Sequence, residues 1–367
     1  MILILLPLAH VHAAPPATDA VAHTYDGRHR ADRIDLTVAY LVPSDRKPLD
    51  DWRERVDYFM RRIAAFHRRE SAGRSSLNIH VHPTPLRVEQ TAEALRGTNP
   101  DQTFFQSTGA ARSALNWPER GTGFPILLVL SDINWRELDD FTRTRMIDGV
   151  PTFEGNVDGQ GRHFPGAESG GARATYDAEQ GFGIGLVSAD GWRVPYRGSD
   201  CVVYHEGVGH PIGLPHPEPI DNSVMGTAQY EFWINETRVS PQQKDALGWV
   251  VRKAKGEPRL PARDAPTDLF TAFTAVPTPD VPRPRVPVRL ELTWPPNAKP
   301  RRINVRVQTA LREPWRACPV ETTDPPPQSV ALGSFDTPTP VRYRVDVALA
   351  DGQEVELWGY FQVKADR

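Results

Sequence analysis

An α+β domain followed by a β-sandwich is the fold class this sequence predicts, and three observations carry the expectation. The N-terminal half alternates apolar runs of strand and helix period. A cluster of histidines sits near the end of that region. From residue 288 onward, short alternating runs succeed one another between turn residues. A length of 367 residues suits two domains, and a hydrophobic fraction of 39% supplies their cores.

Residues 2–9 are an apolar run, and Val11, His12, Ala13 and Ala14 form a small-residue cleavage pattern after it. Residues 1–13 therefore read as a secretory signal that lacks the basic n-region, and the mature chain is expected to be secreted, periplasmic or extracellular. Residues 14–32 form an N-terminal segment. Residues 35–42 read as a first strand. Asp50 is placed to cap the helix that follows, where Trp52, Val56, Phe59, Met60, Ile63 and Phe66 recur at helical spacing. Residues 76–82 alternate as a strand; His80 and His82 share a face but have no acidic or cysteine neighbour, so a surface or core role outweighs a second metal site. A helix over 103–115 and a strand from Phe124 complete a β-α-β-α-β start. Residues 155–185 are glycine-rich and aperiodic and should be loop. Residues 183–188 are either an edge strand or a strand inside the sheet.

These elements assign residues 33–253 to the first domain. Residues 254–287 are a proline-rich linker, and residues 288–367 form the sandwich, of immunoglobulin or fibronectin type. In the last segment Leu290, Leu292, Val305, Val307, Val345 and Val347 alternate, and Asp351-Gly352 marks a hairpin turn. No run after the signal approaches the ~18 apolar residues of a transmembrane helix. A net charge of −3 with no basic stripe gives no reason to expect nucleic acid. The oligomeric state is left open. With only Cys201 and Cys318, the chain is no disulfide scaffold; the two either pair or stay free thiols. Asn235-Glu236-Thr237 is a glycosylation sequon if the host glycosylates.

The most informative segment holds His205, Glu206, His210 and His216. With 11 His in the whole chain, a window of this length should contain ~0.4 of one, and clustered His beside Glu is zinc-ligand chemistry. The spacing presents a difficulty. On a regular helix, at ~100° per residue, side chains four apart diverge by about 40° and side chains five apart by about 140°, so His205 and His210 would not share a metal. A single π-type turn absorbs one extra residue and restores convergence. Gly207 and Gly209 stand where it must form, and Pro211, without an N–H, follows.

The segment resembles the long zinc signature of the metzincin metallopeptidases, H-E-x-x-H-x-x-G-x-x-H, with one residue inserted in its first half; His210, Gly213 and His216 fit the second half residue for residue. The expanded H-E-x-x-x-H opening is itself a feature of the dipeptidyl-peptidase III family. Asp221-Asn222-Ser223-Val224-Met225-Gly226 resembles the Met-turn, and residues 240–249, with Ser240 and Pro241 at the start and Gly248 at the end, resemble the closing helix. The resemblance implies a zincin fold and Zn2+ held by His205, His210 and His216. It further implies Met225 beneath the ligands and a zinc-activated water attacking a protein or peptide substrate, with Glu206 as general base. Tyr230 is placed either to stabilise the oxyanion or to pack under the site; Tyr204, His163 and Glu218 are weaker candidates. Two rivals stand beside the endopeptidase: an inactive metzincin-fold binding protein, and a zinc hydrolase acting on a non-peptide bond.

Overall fold

The structure, a computed structural model, describes residues 21–118, 121–135, 143–147, 150–154, 172–250, 268–310 and 313–364. The signal peptide, most of the 14–32 segment, residues 155–171 with His163, and residues 254–267 of the proline-rich stretch lie outside the described residues.

Strand β1 (Arg33–Val42) organises the N-terminal half. It runs parallel to β2 (Ser76–Val81) on one side and to β4 (Phe124–Ser131) on the other, while β3 (Leu86–Arg87) pairs with its end. A separate antiparallel hairpin joins β5 (Arg143–Ile147) and β6 (Val150–Glu154). The main sheet then continues through β8 (Phe182–Val187), parallel to β4, and closes on β7 (Arg173–Asp177), antiparallel to β8, in the order β2-β1-β4-β8-β7.

Period-two alternation divides β1 between two cores. Leu36, Val38 and Tyr40 meet Phe59, Ile63 and Phe66 of helix α1 (Trp52–Glu70). Ala39 and Leu41 face the other way, with Leu95 of α2 (Ala92–Arg96) and Phe104 and Ala111 of α3 (Pro100–Leu115). Helices on both faces of a mostly parallel sheet bury its backbone groups on each side, which is why β4 reads as a continuous apolar run.

Two antiparallel sheets follow. One has the order β13-β10-β9 and the other β12-β11-β14-β15, where β9 is Thr274–Thr278, β10 Val288–Thr293, β11 Pro300–Gln308, β12 Arg316–Cys318, β13 Ser329–Gly333, β14 Thr339–Leu349 and β15 Glu354–Val363. Leu290 and Val330 from the first share one buried core with Val305, Val345 and Leu357 from the second. Gly352, at φ 91°, makes the turn between β14 and β15, as Asp351-Gly352 led one to expect.

The structure corrects several expectations. Asp51, not Asp50, is the N-cap of α1, and its carboxylate accepts from Arg55 Nε at 2.9 Å instead of capping the backbone. Residues 173–177, placed in a glycine-rich loop, are strand β7, whereas β8 falls where residues 183–188 were read as a strand. Of the two readings of residues 183–188, the internal strand is the one found, because β7 covers β8. Strand β9 and helix α8 (Leu269–Ala272) lie within the segment read as linker; Pro277 sits opposite Leu290 of β10 in an outer strand, a position that tolerates a missing N–H. Cys201 and Cys318 are buried free thiols. Asn235 is buried between Arg62 and the Phe273 carbonyl, which closes it as a glycosylation acceptor. His80 and His82 are occupied by Asn78 and the Thr84 carbonyl respectively. No helix among the described residues is long and apolar enough to cross a membrane.

Candidate metal centre

The three histidines are brought together by a short helix that changes pitch. Helix α5 (Ser199–Tyr204) is tied to α1 through Asp200, whose Oδ2 accepts from Arg62 Nε at 2.8 Å while Oδ1 accepts from the Ile234 N–H. At His205 the helix widens into a π turn, His205–Gly209, and then tightens into a 3₁₀ turn, His210–Ile212. This is the geometry that the five-residue spacing demanded.

Glycine is required on both sides of the widened turn. A Cβ on Gly209 would collide with the sulfur of Met225, and one on Gly207 would press on Leu128 of β4. Gly185 of β8 faces the same turn, and a side chain there would fall on the Glu206 carbonyl. Gly213, at φ 87°, turns the chain in the left-handed region, and Leu214 N–H closes the turn on the Gly209 carbonyl at 3.1 Å. The chain then reverses and delivers His216.

The imidazoles converge through Nε2. His205 Nε2 lies 2.9 Å from His210 Nε2 and 3.1 Å from His216 Nε2. The other nitrogens explain why the contact between His205 and His210 is not a hydrogen bond: His205 Nδ1 lies 2.9 Å from the Val224 carbonyl and His210 Nδ1 lies 2.7 Å from the Leu214 carbonyl. A carbonyl only accepts, so each Nδ1 carries the proton and each Nε2 presents a lone pair. Lone pairs aimed at one another from such distances suit a shared cation: a tetrahedral zinc with ~2.1 Å bonds would hold its nitrogens about 3.4 Å apart. Burial depresses the His205 pKa to about 3, with His210 adding to the effect, and depresses that of His210 as well. Both rings are thus held in the neutral form that a metal ligand needs. Among the described residues this is the one group of three side chains with metal-ligand atoms so close together.

Glu206 lies beside them, nearly buried, with Oε2 unpartnered. Desolvation pushes its pKa up to about 8, against the opposing pull of the Arg173 charge. Glu206, His210, His216 and Arg173 line an open cleft of about 400 Å³ whose wall is completed by Tyr176 of β7. Among the described residues no strand pairs with the outer edge of β7, which borders this cleft.

Met225 is fully buried, and its sulfur packs on Gly209, one residue before His210; its neighbour Val224 supplies the carbonyl that orients His205. Tyr230, on the short helix α6 (Ala228–Glu231), is partly buried; burial raises its pKa, and the nearby charge of Glu206 adds to the rise. Helix α7 (Pro241–Ala246) closes the half, with Ser240 Oγ accepting from Gln243 N–H and Gly248 at φ 71°. Tyr204 is set apart from the cleft: it is buried against Phe66, and its hydroxyl meets His67 Nδ1 at 3.1 Å. Glu218 is exposed and does not join the histidine group.

No family model and no curated protein matches the chain. Among solved structures, wild-type OgpA from Akkermansia muciniphila is similar over 97% of this chain and 99% of that one, at 14% identity and a TM-score of 0.30. A catalytically inactive OgpA from the same organism, in complex with an O-glycopeptide (glycodrosocin) substrate, is similar over 96% and 98%, at 14% identity and a TM-score of 0.31. CopC from Methylosinus trichosporium OB3b is similar over 26% of this chain and 96% of that one, at 14% identity and a TM-score of 0.20. At these TM-scores the likenesses carry no argument, and the chemistry of the site stands on its own geometry.

Arg173 is the cleft residue that sequence reasoning missed. It lies 33 positions before Glu206, and only the β7–β8 pairing carries it to the metal centre. No local pattern signals that fold-back.

Proposed function

We propose that this chain is a zinc-dependent endopeptidase of metzincin type, with His205, His210 and His216 as ligands and Glu206 as general base. The observation that carries the reading is the convergence of three imidazole Nε2 atoms beside a buried carboxyl with an unpartnered oxygen, in a cleft bordered by the outermost described strand of the sheet. Bound zinc supplies a Lewis acid that polarises a carbonyl and acidifies water at neutral pH. Glu206 takes a proton from the attacking water through its unpartnered Oε2 and returns it to the leaving amine; its desolvated setting suits both directions of transfer. Tyr230 offers a hydroxyl to the oxyanion, and Met225 fills the space beneath Gly209 without binding metal, since a thioether is a poor partner for zinc beside imidazole. The two C-terminal sheets are read as an immunoglobulin- or fibronectin-like sandwich attached to this zincin half, and the whole as an exported protein.

The test pairs metal analysis with turnover. Purified wild type, Glu206→Gln and His210→Ala are loaded with zinc, analysed for bound metal, and assayed with and without chelator on casein and on a peptide library containing unmodified and O-glycosylated members. Wild type should bind one zinc and show chelator-sensitive cleavage. Glu206→Gln should keep the metal and lose about 10²–10⁴ in rate, and His210→Ala should lose both. Zinc binding without cleavage of any peptide would replace the enzyme with a binding protein of the same fold. Turnover confined to esters would make it a hydrolase of another bond.

A further inference from the structure

The cleft carries one arginine, and its setting is that of a recognition residue. Arg173 opens β7, the outermost strand of the sheet, and lines the cleft with Glu206, His210 and His216. Among the described residues it is the sole Lys or Arg there. Its guanidinium lies 5.7 Å from the Phe104 ring and 5.8 Å from the Phe105 ring of α3, close enough for two aromatic faces to fix its direction. Phe105 is 60% exposed, more than any other large apolar residue described, whereas Phe104 is buried, so the guanidinium lies between a buried ring and an open one. The partner of Arg173 is Asp101, whose side chain is 63% exposed. A pair so open contributes little and is readily exchanged for another carboxylate.

A guanidinium offers five N–H donors in a planar fork that matches a carboxylate bidentately. A peptide laid along the outer edge of β7, which pairs with no other strand among the described residues, would present alternate side chains to that fork while its backbone passes the histidines. We infer that Arg173 is the specificity-determining residue of the cleft, receiving a carboxylate that the substrate carries beside the bond to be cut. The inference rests on the peptidase reading and deepens it. Two sources share this chemistry, an acidic side chain within the peptide and a free C-terminus.

The experiment compares ratios within matched peptides, so that a general loss of activity does not imitate the effect. Peptides carry Glu, Gln or Lys in turn at each position around the scissile bond, with the C-terminus either free or amidated. Zinc-loaded wild type should cleave the Glu member at one position with kcat/KM about tenfold or more above its Gln twin, the scale of a charge-assisted bidentate contact. If the contact is made to a chain end, the free C-terminus should instead win over the amide by the same factor. In R173Q the ratio should fall to within about twofold of unity, in R173K it should persist in part because charge remains without the fork, and in R173E it should reverse in favour of Lys. Circular dichroism and zinc content verify that each variant is folded. A wild type without acidic preference at any position, or variants that keep the wild-type ratio, would overturn the inference. If no peptide is cut the peptidase reading fails by itself, and binding decides the role of Arg173. Zinc-loaded E206Q should then bind the fluorescent Glu peptide or free-C-terminus peptide about tenfold more tightly than its neutral twin. The difference should vanish in E206Q/R173Q, and equal affinities in E206Q would reject the assignment.

Discussion

His67 shows how a residue outside the cleft holds the site in place. It is buried on α1, between Trp249 and α5, with Nε2 2.9 Å from Ser75 Oγ and Nδ1 3.1 Å from Tyr204 Oη, one residue before His205. Ser75 donates its own proton to the Ala31 carbonyl, so its oxygen accepts from His67 Nε2–H and the free Nδ1 accepts from Tyr204. Burial drives the His67 pKa down to about 3. The unfolded chain, at an ordinary value of about 6.5, therefore binds a proton between pH 6.5 and 3 that the folded chain refuses, and stability falls as the pH drops through that window. Over the full window the effect is on the order of 4 kcal/mol. Denaturant titrations of wild type and His67→Gln at pH 7.0 and 5.5 should show the gap between them narrowing by about 1 kcal/mol at the lower pH. His205, His210 and His216 are common to both proteins and cancel, so a gap independent of pH would remove this account.

At the scale of elements, the critical contact is β8 against the π turn. A Cβ at Gly185 would land on the backbone of Glu206 and Gly207, which cannot swing aside as a side chain can. Gly185→Ala should therefore weaken zinc binding at least about tenfold and cost about 2 kcal/mol of stability, whereas Gly109→Ala in α3, with open space around it, should be neutral or stabilise by up to about 1 kcal/mol. Competitive zinc titration and thermal melts compare the two; equal effects would show that the turn tolerates displacement. Much of this element was legible in the sequence. The spacing of His205 and His210 required a change of pitch, and Gly207, Gly209 and Pro211 marked where it occurs. What surrounds the turn was not legible. Arg173-Ala174-Thr175-Tyr176-Asp177 has no clean alternation, because β7 is half-exposed along its whole length. Proline in β9 hid a strand for a similar reason: composition reports a missing N–H, not the edge position that forgives it.

At the scale of the molecule, the alternation of β10, β11, β14 and β15 predicted a second unit, but not where it docks. The sheet β12-β11-β14-β15 lies against α1. Trp358 of β15 is 1% exposed and belongs to the N-terminal core, 5.6 Å from the Tyr58 ring. Its backbone N–H donates to Tyr58 Oη at 3.3 Å, and its carbonyl accepts from Trp233 Nε1 at 3.2 Å, close to the chain that carries Tyr230. Arg61 pairs with Glu356, and Arg344 with Glu54, around this centre. These ion pairs are largely open to water on one side and contribute little, so the apolar contact of Trp358 dominates. Removing that ring should cost about 3–5 kcal/mol, the range for a buried aromatic truncated to alanine. Because the lost contact joins the two halves, Trp358→Ala should also split one cooperative unfolding transition into two, with the half containing the metal centre melting first unless zinc is present. Calorimetry with and without chelator reads both outcomes. A single transition, lowered but still unsplit, would mean that the remaining interface suffices to couple the halves.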